Sequence, residues 1–567
     1  MIQLKNVSFR YRGAADPALD EVTAGLRAGE LVGVLGASGS GRSTLASTVT
    51  GIIPHLIRGE LRGEVQVAGR ETRATRPREL AGRVGLVLQD FEAQLFSTNV
   101  ALEIAFGPEN IGLPQAEIAR RVERCLHAVD LEHLRGKLPA LLSGGQKQRL
   151  ALASVLALAP EILVLDEPTS DLDPAGRAAL LSAVRALRES QSCGLLLIDP
   201  DTDDLGWLDR LLVLERGRLV LEGTPDELWE QPERLDALGV KPFTLARLAK
   251  ALGLRGPWRD PSEAVEAIRA GGWGVAAGAA ERLAAGRTLP SGSPVLEMDG
   301  VTHRYPDGTT ALGGVSCTIR AGEFVAILGQ NGSGKTTLAK HLNGILLSTA
   351  GTVRLHGRPL AEQSPAERAR AVGLVFQNPD HQLFAERIQE EVGFGPRLQG
   401  MPEAEVARRI EESLQAVGLA GEEERDPFVL TKGGRQRVAV AATLASQPEV
   451  LILDEPTTGL DARELRGMMA MVQALNRAGH TIVIITHALE VAAAYAARTI
   501  LMQGGRIVAD GPTREVFADA ARLEGLGLSP PPIVQVAHRL GAPALTLEEL
   551  AGVLERDPIA RGGAMPA

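Results

Sequence analysis

Short, uninterrupted apolar runs recur along the chain, each ending in a glycine-rich or acidic turn. Leu31-Val32-Gly33-Val34-Leu35 and Phe324-Val325-Ala326-Ile327-Leu328 each run into glycines and then a helical pattern. Ile162-Leu163-Val164-Leu165 and Val450-Leu451-Ile452-Leu453 each run straight into Asp-Glu-Pro-Thr. Four or five consecutive apolar residues bounded by turn signals predict strands buried on both faces, and the intervening helical stretches predict an α/β fold with helices covering the sheet.

The runs come in pairs because the chain is one module written twice. Gln89 and Gln377, Arg149 and Arg437, Asp166 and Asp454, and Gly223 and Gly511 all stand 288 residues apart (454 − 166). At the glycine-rich turns the separation is 293 (329 − 36), so the first copy carries five extra residues near Pro54 to Glu60, read as a loop insertion. Leu238-Gly239-Val240-Lys241-Pro242 matches Leu526-Gly527-Leu528-Ser529-Pro530, so each module has its own small helical appendix. The expected domains are 1–235, a helical appendix and linker at 236–293, 294–524, and a second appendix at 525–567. The linker is read at Gly271-Gly272 and from Arg287 to Pro294, where Pro290 and Gly292 fall. The appendices are candidates to pair with each other.

Composition narrows the class. At 567 residues and 44% hydrophobic, the chain can bury several large cores. A net charge of −10 argues against a broad basic nucleic-acid face, so any phosphate affinity is local. Cys125, Cys193 and Cys317 are widely spaced, giving neither a disulfide framework nor a zinc pattern, as expected for a reducing cytosol. The start has no signal-peptide pattern, and no apolar run approaches the roughly 18 residues of a membrane span. Any work at a membrane is expected to go through a partner.

The glycine-rich turns carry chemistry. Gly329-Gln330-Asn331-Gly332-Ser333-Gly334-Lys335-Thr336 fits G-x-x-x-x-G-K-[ST], and Thr337 follows. Its counterpart, Gly36-Ala37-Ser38-Gly39-Ser40-Gly41-Arg42-Ser43 with Thr44 next, has arginine in place of lysine. Backbone N–H groups of such a loop, with the N-terminus of the following helix, form an anion site, and glycines keep side chains out of the phosphate space. Lys335 supplies a compact charge, whereas Arg42 keeps the charge on a bulkier planar fork. Thr336 and Ser43 are expected to offer hydroxyls to Mg2+ and Asp454 and Asp166 to hold it through their carboxylates, directly or through water, while Glu455 and Glu167 are placed to polarise the attacking water.

Leu142-Ser143-Gly144-Gly145-Gln146 resembles the signature motif of ATP-binding cassette (ABC) ATPases, and with the phosphate loops and Asp-Glu-Pro-Thr the resemblance covers both copies. It implies two tandem P-loop NTPase domains, each with a mixed sheet core and a helical signature subdomain, binding ATP and Mg2+. It further implies an intramolecular head-to-tail dimer in which each signature caps the ATP on the other copy's phosphate loop. The second signature departs from the pattern as Leu430-Thr431-Lys432-Gly433-Gly434. The switch histidine is matched by His487, but Asp199 stands in its slot in the first copy, where a carboxylate is expected to repel the γ-phosphate.

Sorted by composite site, all three departures fall together. Site one unites Arg42, Ser43, Glu167 and Asp199 with Thr431, Lys432 and Gly433. Site two unites Lys335, Thr336, Glu455 and His487 with Ser143, Gly144 and Gly145. The expectation is that site two hydrolyses and site one mainly binds.

Tyr11 and Tyr305 stand 25 and 24 residues ahead of their loops, where the family stacks a ring on adenine; a strand-end aromatic in the core is the alternative. Gln89 and Gln377 match the glutamine that touches Mg2+ or the attacking water. Ser170-Asp171-Leu172-Asp173 and Thr458-Gly459-Leu460-Asp461 match the segment through which the sites communicate.

A narrower resemblance follows the glutamines. Gln377-Asn378-Pro379-Asp380-His381-Gln382-Leu383-Phe384 and Glu391-Val392-Gly393-Phe394-Gly395-Pro396 look like ATPases of energy-coupling factor (ECF) transporters. Gln89 to Phe96 and Ala105 to Asn110 repeat the pattern. The resemblance implies uptake of a vitamin, a vitamin precursor or a transition metal ion. Its implied partners are a membrane-embedded coupling subunit and a small substrate-capture subunit, with the ATPase peripheral on the cytoplasmic face. Glu92, Asp380 and Glu386 are acidic candidates for gripping a basic coupling helix, or simply a solvated acidic surface. The alternative is a twin-cassette ATPase acting on ribosomes or nucleic acid, but 240–293 lacks the long basic arm expected there.

Overall fold

The structure, a computed structural model, describes residues 1–170, 172–190, 193–285, 289 and 291–556. Asp171 and three residues of the proposed linker, Arg287, Thr288 and Pro290, lie outside the described residues. The chain forms two compact units, one of Met1–Ala246 with Asp461–Arg463 and one of Arg247–Leu460 with the residues from Glu464 onward.

Each unit has the same two sheets. In the first unit a mixed six-stranded sheet runs in the order Arg218–Gly223, Arg210–Glu215, Leu31–Gly36, Gly194–Ile198, Ile162–Asp166, Val84–Val87. All neighbours are parallel except the outer hairpin. Leu31–Gly36 is buried along its whole length, which is why it reads as an unbroken apolar run. A four-stranded antiparallel sheet, Leu19–Leu26, Ile2–Tyr11, Gly59–Val67 and Arg70–Glu71, lies alongside, and Val7, Phe9, Leu45 and Val34 share one core. The helical subdomain packs Val100–Asn110, Gln115–Ala128 and Gly144–Leu156 together.

The second unit repeats this plan, with Phe324–Leu328 between Thr481–Ile485 and Arg498–Gln503 and with Val450–Asp454 one strand further out. Both predicted pairs of buried strands, the α/β class and the mixed sheets are therefore present in both copies.

The five extra residues of the first copy are only in part the expected loop: residues 56–58 turn between two ordered elements. Ile52–His55 is a short helix with Ile53 fully buried. Gly59 pairs with Tyr11 and Glu60 with Arg10, which lengthens that strand to nine residues against six in Ala350–Leu355. The insertion supplies an apolar anchor and ladder partners, and the backbone takes both.

The segments after each cassette meet inside the second unit. Trp273–Val275 pairs antiparallel with Leu554–Arg556, and the helix Pro261–Ala270 packs on Pro532–Leu540. Arg514 joins the halves by donating to Glu549 (3.1 Å) and to the Leu283 carbonyl (3.2 Å). Residues 236–246 fold instead with the first unit.

Candidate functional site

Strand ends create the sites. Leu31–Gly36 stops at Gly36, whose φ of 154° and close approach to the Leu214 carbonyl leave no room for a side chain: a Cβ would meet that oxygen at 2.5 Å. Gly329 is equally confined, with the Met502 carbonyl 2.5 Å from where a Cβ would stand. Gly39 and Gly332, at φ 75° and 78°, face open space and leave the cradle of the loop clear. The helices Arg42–Val49 and Lys335–Leu342 then begin from left-handed Gly41 and Gly334 with no side-chain cap, the kind of N-terminus that suits an anion.

Around the first loop the structure gathers Tyr11, Arg42, Ser43, Thr44, Gln89, Asp166 and Glu167. The Ser43 hydroxyl donates to Asp166 Oδ1 at 3.1 Å. Tyr11 Oη lies 3.0 Å from Thr44 Oγ1 and its ring packs edge-on against Phe9, leaving the tyrosine partly exposed beside the loop helix. Around the second loop, Tyr305 Oη lies 3.2 Å from Thr337 Oγ1, the same arrangement. Ser38 and Asn331 stand within the loops themselves.

The acidic pairs sit where the buried strands end. Burial pushes the Asp166 and Asp454 carboxyls up to about 6, against the opposing hydrogen bonds of Ser43 and Thr336. Asp454 Oδ1 is buried with no hydrogen-bond partner among the described residues. An orphaned buried carboxylate oxygen beside a hydroxyl is a donor set that fits Mg2+: Thr336 with Asp454, and Ser43 with Asp166, would hold the ion, which would neutralise charge on the β- and γ-phosphates. Glu167 and Glu455 both adopt φ 48°, fixed by N–H bonds to Ile198 (2.9 Å) and Ile485 (2.8 Å). Such backbone strain in a non-glycine residue concentrates at functional sites.

The two loops differ in what holds the basic residue and the glutamate. Lys335 Nζ donates to the carbonyls of Gly329 (2.8 Å) and Gln330 (3.0 Å). Arg42 instead spans two acceptors, Gly36 O and Glu167 Oε1, each at 2.6 Å. Gln89 Nε2 donates to the other Glu167 oxygen at 2.8 Å. Glu455 Oε2 lies 2.9 Å from His487 Nδ1 and accepts from the His487 N–H at 3.3 Å. Gln377 is exposed just past its strand.

The expected role of Asp199 needs correction. Its carboxyl is fully buried, accepting from Thr169 Oγ1 (2.5 Å), the Asp201 N–H (2.9 Å) and Arg177 Nη2 (3.3 Å). A carboxylate so enclosed does not present itself to a phosphate. Burial pushes its pKa up while Arg177 pulls the other way. Arg177 also reaches Asp204 (2.5 Å) and Asp201 (3.5 Å), and Lys241 reaches Asp201 and Asp203, each at 3.1 Å. Burial opposes the Arg177 charge, yet the three aspartates hold its pKa above the ordinary value.

The signature segments start helices. Ser143 caps Gly144–Leu156 in a capping box with Gln146, and the small Gly144 and Gly145 occupy the first turn. Thr431 caps Lys432–Leu444 through the Gly434 N–H (3.1 Å) and donates to Glu464 at 2.7 Å. The Lys432 ammonium lies over Gly459, 2.9 Å from where a Cβ would stand, and Gly433 faces Glu464.

Two buried glutamates have no role assigned from the sequence, Glu103 not being singled out and Glu391 only opening a motif. Glu103 accepts from the Phe96 and Ser97 N–H groups (3.0 and 2.8 Å), and Glu391 from those of Phe384 and Ala385 (2.9 and 2.8 Å). Their recurrence 288 residues apart was the available signal.

The ABC transporter family model matches residues 19–170 and 312–458. An ABC transporter ATP-binding protein of Caldanaerobacter subterraneus subsp. tengcongensis is 42% identical over 98% of this chain and 99% of its own length. One from Methanosarcina mazei is 37% identical over 94% and 92%. Among solved structures, cbiO1 from Clostridium perfringens, described as part of the ABC transporter complex cbiONQ, is 33% identical, with a TM-score of 0.39, covering 43% of this chain and 98% of that one. With two phosphate loops, two strand-end Asp-Glu pairs and two signature helices on duplicate α/β units, the chain belongs to the ABC transporter family, as two fused ATP-binding domains whose ATP hydrolysis is coupled to transport.

Proposed function

We propose that this ATPase drives an ECF-type importer of a vitamin, a vitamin precursor or a transition metal ion, with unequal roles for its two loops. The second phosphate loop, served by the first signature (Ser143, Gly144, Gly145, Gln146), hydrolyses ATP. Lys335 and Thr336 cradle the β/γ-phosphates and Mg2+, Glu455 orients the water, and His487 holds the γ-phosphate side. The first loop, served by Thr431, Lys432 and Gly433, chiefly retains nucleotide. The observation that carries this asymmetry is the different hold on the two glutamates: Arg42 on Glu167, His487 on Glu455.

The importer reading rests on the segments after the two glutamines. Each presents an exposed edge-to-face phenylalanine pair, Phe96 with Phe106 (4.5 Å between centroids) and Phe384 with Phe394 (4.9 Å). Exposed aromatics held on a loop by a buried glutamate suit an apolar protein partner, and we assign them to the membrane-embedded coupling subunit. Among the described residues no helix is long and apolar enough to cross a membrane, so contact with the bilayer runs through that subunit. The substrate is then chosen by the small capture subunit.

Steady-state hydrolysis by Glu455→Gln and Glu167→Gln tests the asymmetry: turnover falls at least about a hundredfold in the first and far less in the second. Equal losses would sink it. Co-purification with an apolar multi-span protein tests the importer reading, and association with ribosomes instead would overturn it.

A further inference from the structure

We propose that Arg42 is a positioning residue that restrains the first loop by engaging Glu167, so that hydrolysis there is limited by the arginine and not by absence of a base. This rests on the division of labour proposed above and supplies its physical cause.

The pair is buried, with side-chain exposures of 8% and 9%. A guanidinium is a planar fork and satisfies two acceptors at once; here Nη1 takes the Gly36 carbonyl and Nη2 takes Glu167 Oε1. A lysine ammonium is a single point on a shorter reach, and Lys335 Nζ donates to the loop carbonyls of Gly329 and Gln330. The remaining Glu167 oxygen accepts from Gln89 Nε2 (2.8 Å) and Ser170 Oγ (3.3 Å). Three donors thus take up most of the roughly four acceptor positions of the carboxylate and fix its orientation, whereas a base that polarises water must turn a lone pair toward it. Retreat is also restricted, since the Glu167 backbone is fixed at φ 48° by its bond to Ile198.

Breaking such a pair leaves a buried charge uncompensated, which makes it persistent. Two consequences follow for nucleotide. Incoming phosphate must compete with Glu167 for Arg42, and the water beside the γ-phosphate meets a carboxylate already turned toward three donors. Substituting lysine removes the fork while keeping the charge.

The test uses the full chain. In the Glu455→Gln background, Arg42→Lys raises single-turnover ATP hydrolysis at least about tenfold, and adding Glu167→Gln abolishes the gain. No gain, in protein that still binds two nucleotides, overturns the proposal. A second arm measures ATP affinity without Mg2+, where hydrolysis is silent: Glu167→Gln tightens binding at the first loop at least about threefold, and Arg42→Lys removes that effect. Unchanged affinity also overturns it. Failure of the underlying asymmetry shows separately, as equal turnover losses in the two single glutamate variants with Arg42 intact.

Discussion

Arg177 Nη2 lies 3.3 Å from Asp199 Oδ1 at the end of the strand Gly194–Ile198, and both groups are enclosed. The second copy has Leu465 and His487 at the matching positions. Where the second cassette has a leucine and a histidine, the first has an ion cluster that also draws in Asp201, Asp203, Asp204 and Lys241.

Arg177→Leu copies the second cassette but strands the carboxyl of Asp199. Breaking a buried pair by removing one partner costs about 3–5 kcal/mol. Urea unfolding followed by tryptophan fluorescence checks this; Arg177→Leu with Asp199→Leu loses much less, because no buried carboxylate is left unpaired.

That cluster also marks where the sequence stopped being legible. The phosphate loops, the strand-end Asp-Glu pairs and the signature caps were readable because each is a short local pattern set by strand and helix periodicity. Asp199 reads only as a carboxylate in the switch-histidine slot, and nothing in Asp199-Pro200-Asp201-Thr202-Asp203-Asp204 names Arg177, 22 residues before Asp199 on another helix. Arg42 was readable as a departure, but its grip on Glu167 spans 125 residues and depends on the fold. The insertion near Pro54 was legible only in part for a similar reason: the change of offset marks extra residues, and 56–58 do turn, while the tertiary environment buries Ile53 and extends the ladder at Gly59.

Phe96 and Phe106, with Phe384 and Phe394, are exposed and contribute little to folding. Burying a phenylalanine at an interface is worth about 1.5–3 kcal/mol. Alanine at Phe96 and Phe384 together is expected to weaken capture of the membrane partner at least about tenfold while ATP binding stays as in the parent. Pull-down from detergent extracts alongside nucleotide titration measures both.

His341 gives the second cassette a pH response that the first lacks. Its Nδ1 lies 2.7 Å from the Thr337 carbonyl, its ring packs on His303 at 4.7 Å, and Nε2 has no partner among the described residues. Burial lowers its pKa below 6.5, the Thr337 carbonyl opposes this, and His303 adds to the lowering. The unfolded chain thus binds more protons than the folded one below pH 6.5, so this contribution is intact above 6.5 and is lost as pH falls, by up to about 1.4 kcal/mol per pH unit. In the first copy Thr48 occupies the position and bonds Thr44 O at 2.7 Å. His341→Thr is expected to flatten the fall in melting temperature between pH 7.5 and 5.5.

Truncation after residue 524 tests whether the paired appendices are one cooperative element. It removes Pro532–Leu540, on which Pro261–Ala270 packs, and Leu554–Arg556, the strand partner of Trp273–Val275. It also deletes Glu549, leaving Arg514 without the carboxylate that holds it at 3.1 Å. A helix of ten residues and a strand of three cannot hold their hydrogen bonds alone, because nucleation is unfavourable and an isolated strand has no ladder. Amide exchange at 261–276 is therefore expected to accelerate at least about a hundredfold in the truncated chain. Exchange in Leu31–Gly36 is expected to stay slow, since that strand's hydrogen bonds go to Gly194–Ile198 and Arg210–Glu215 within its own unit. Unchanged protection at 261–276 would mean that the first appendix folds without the tail.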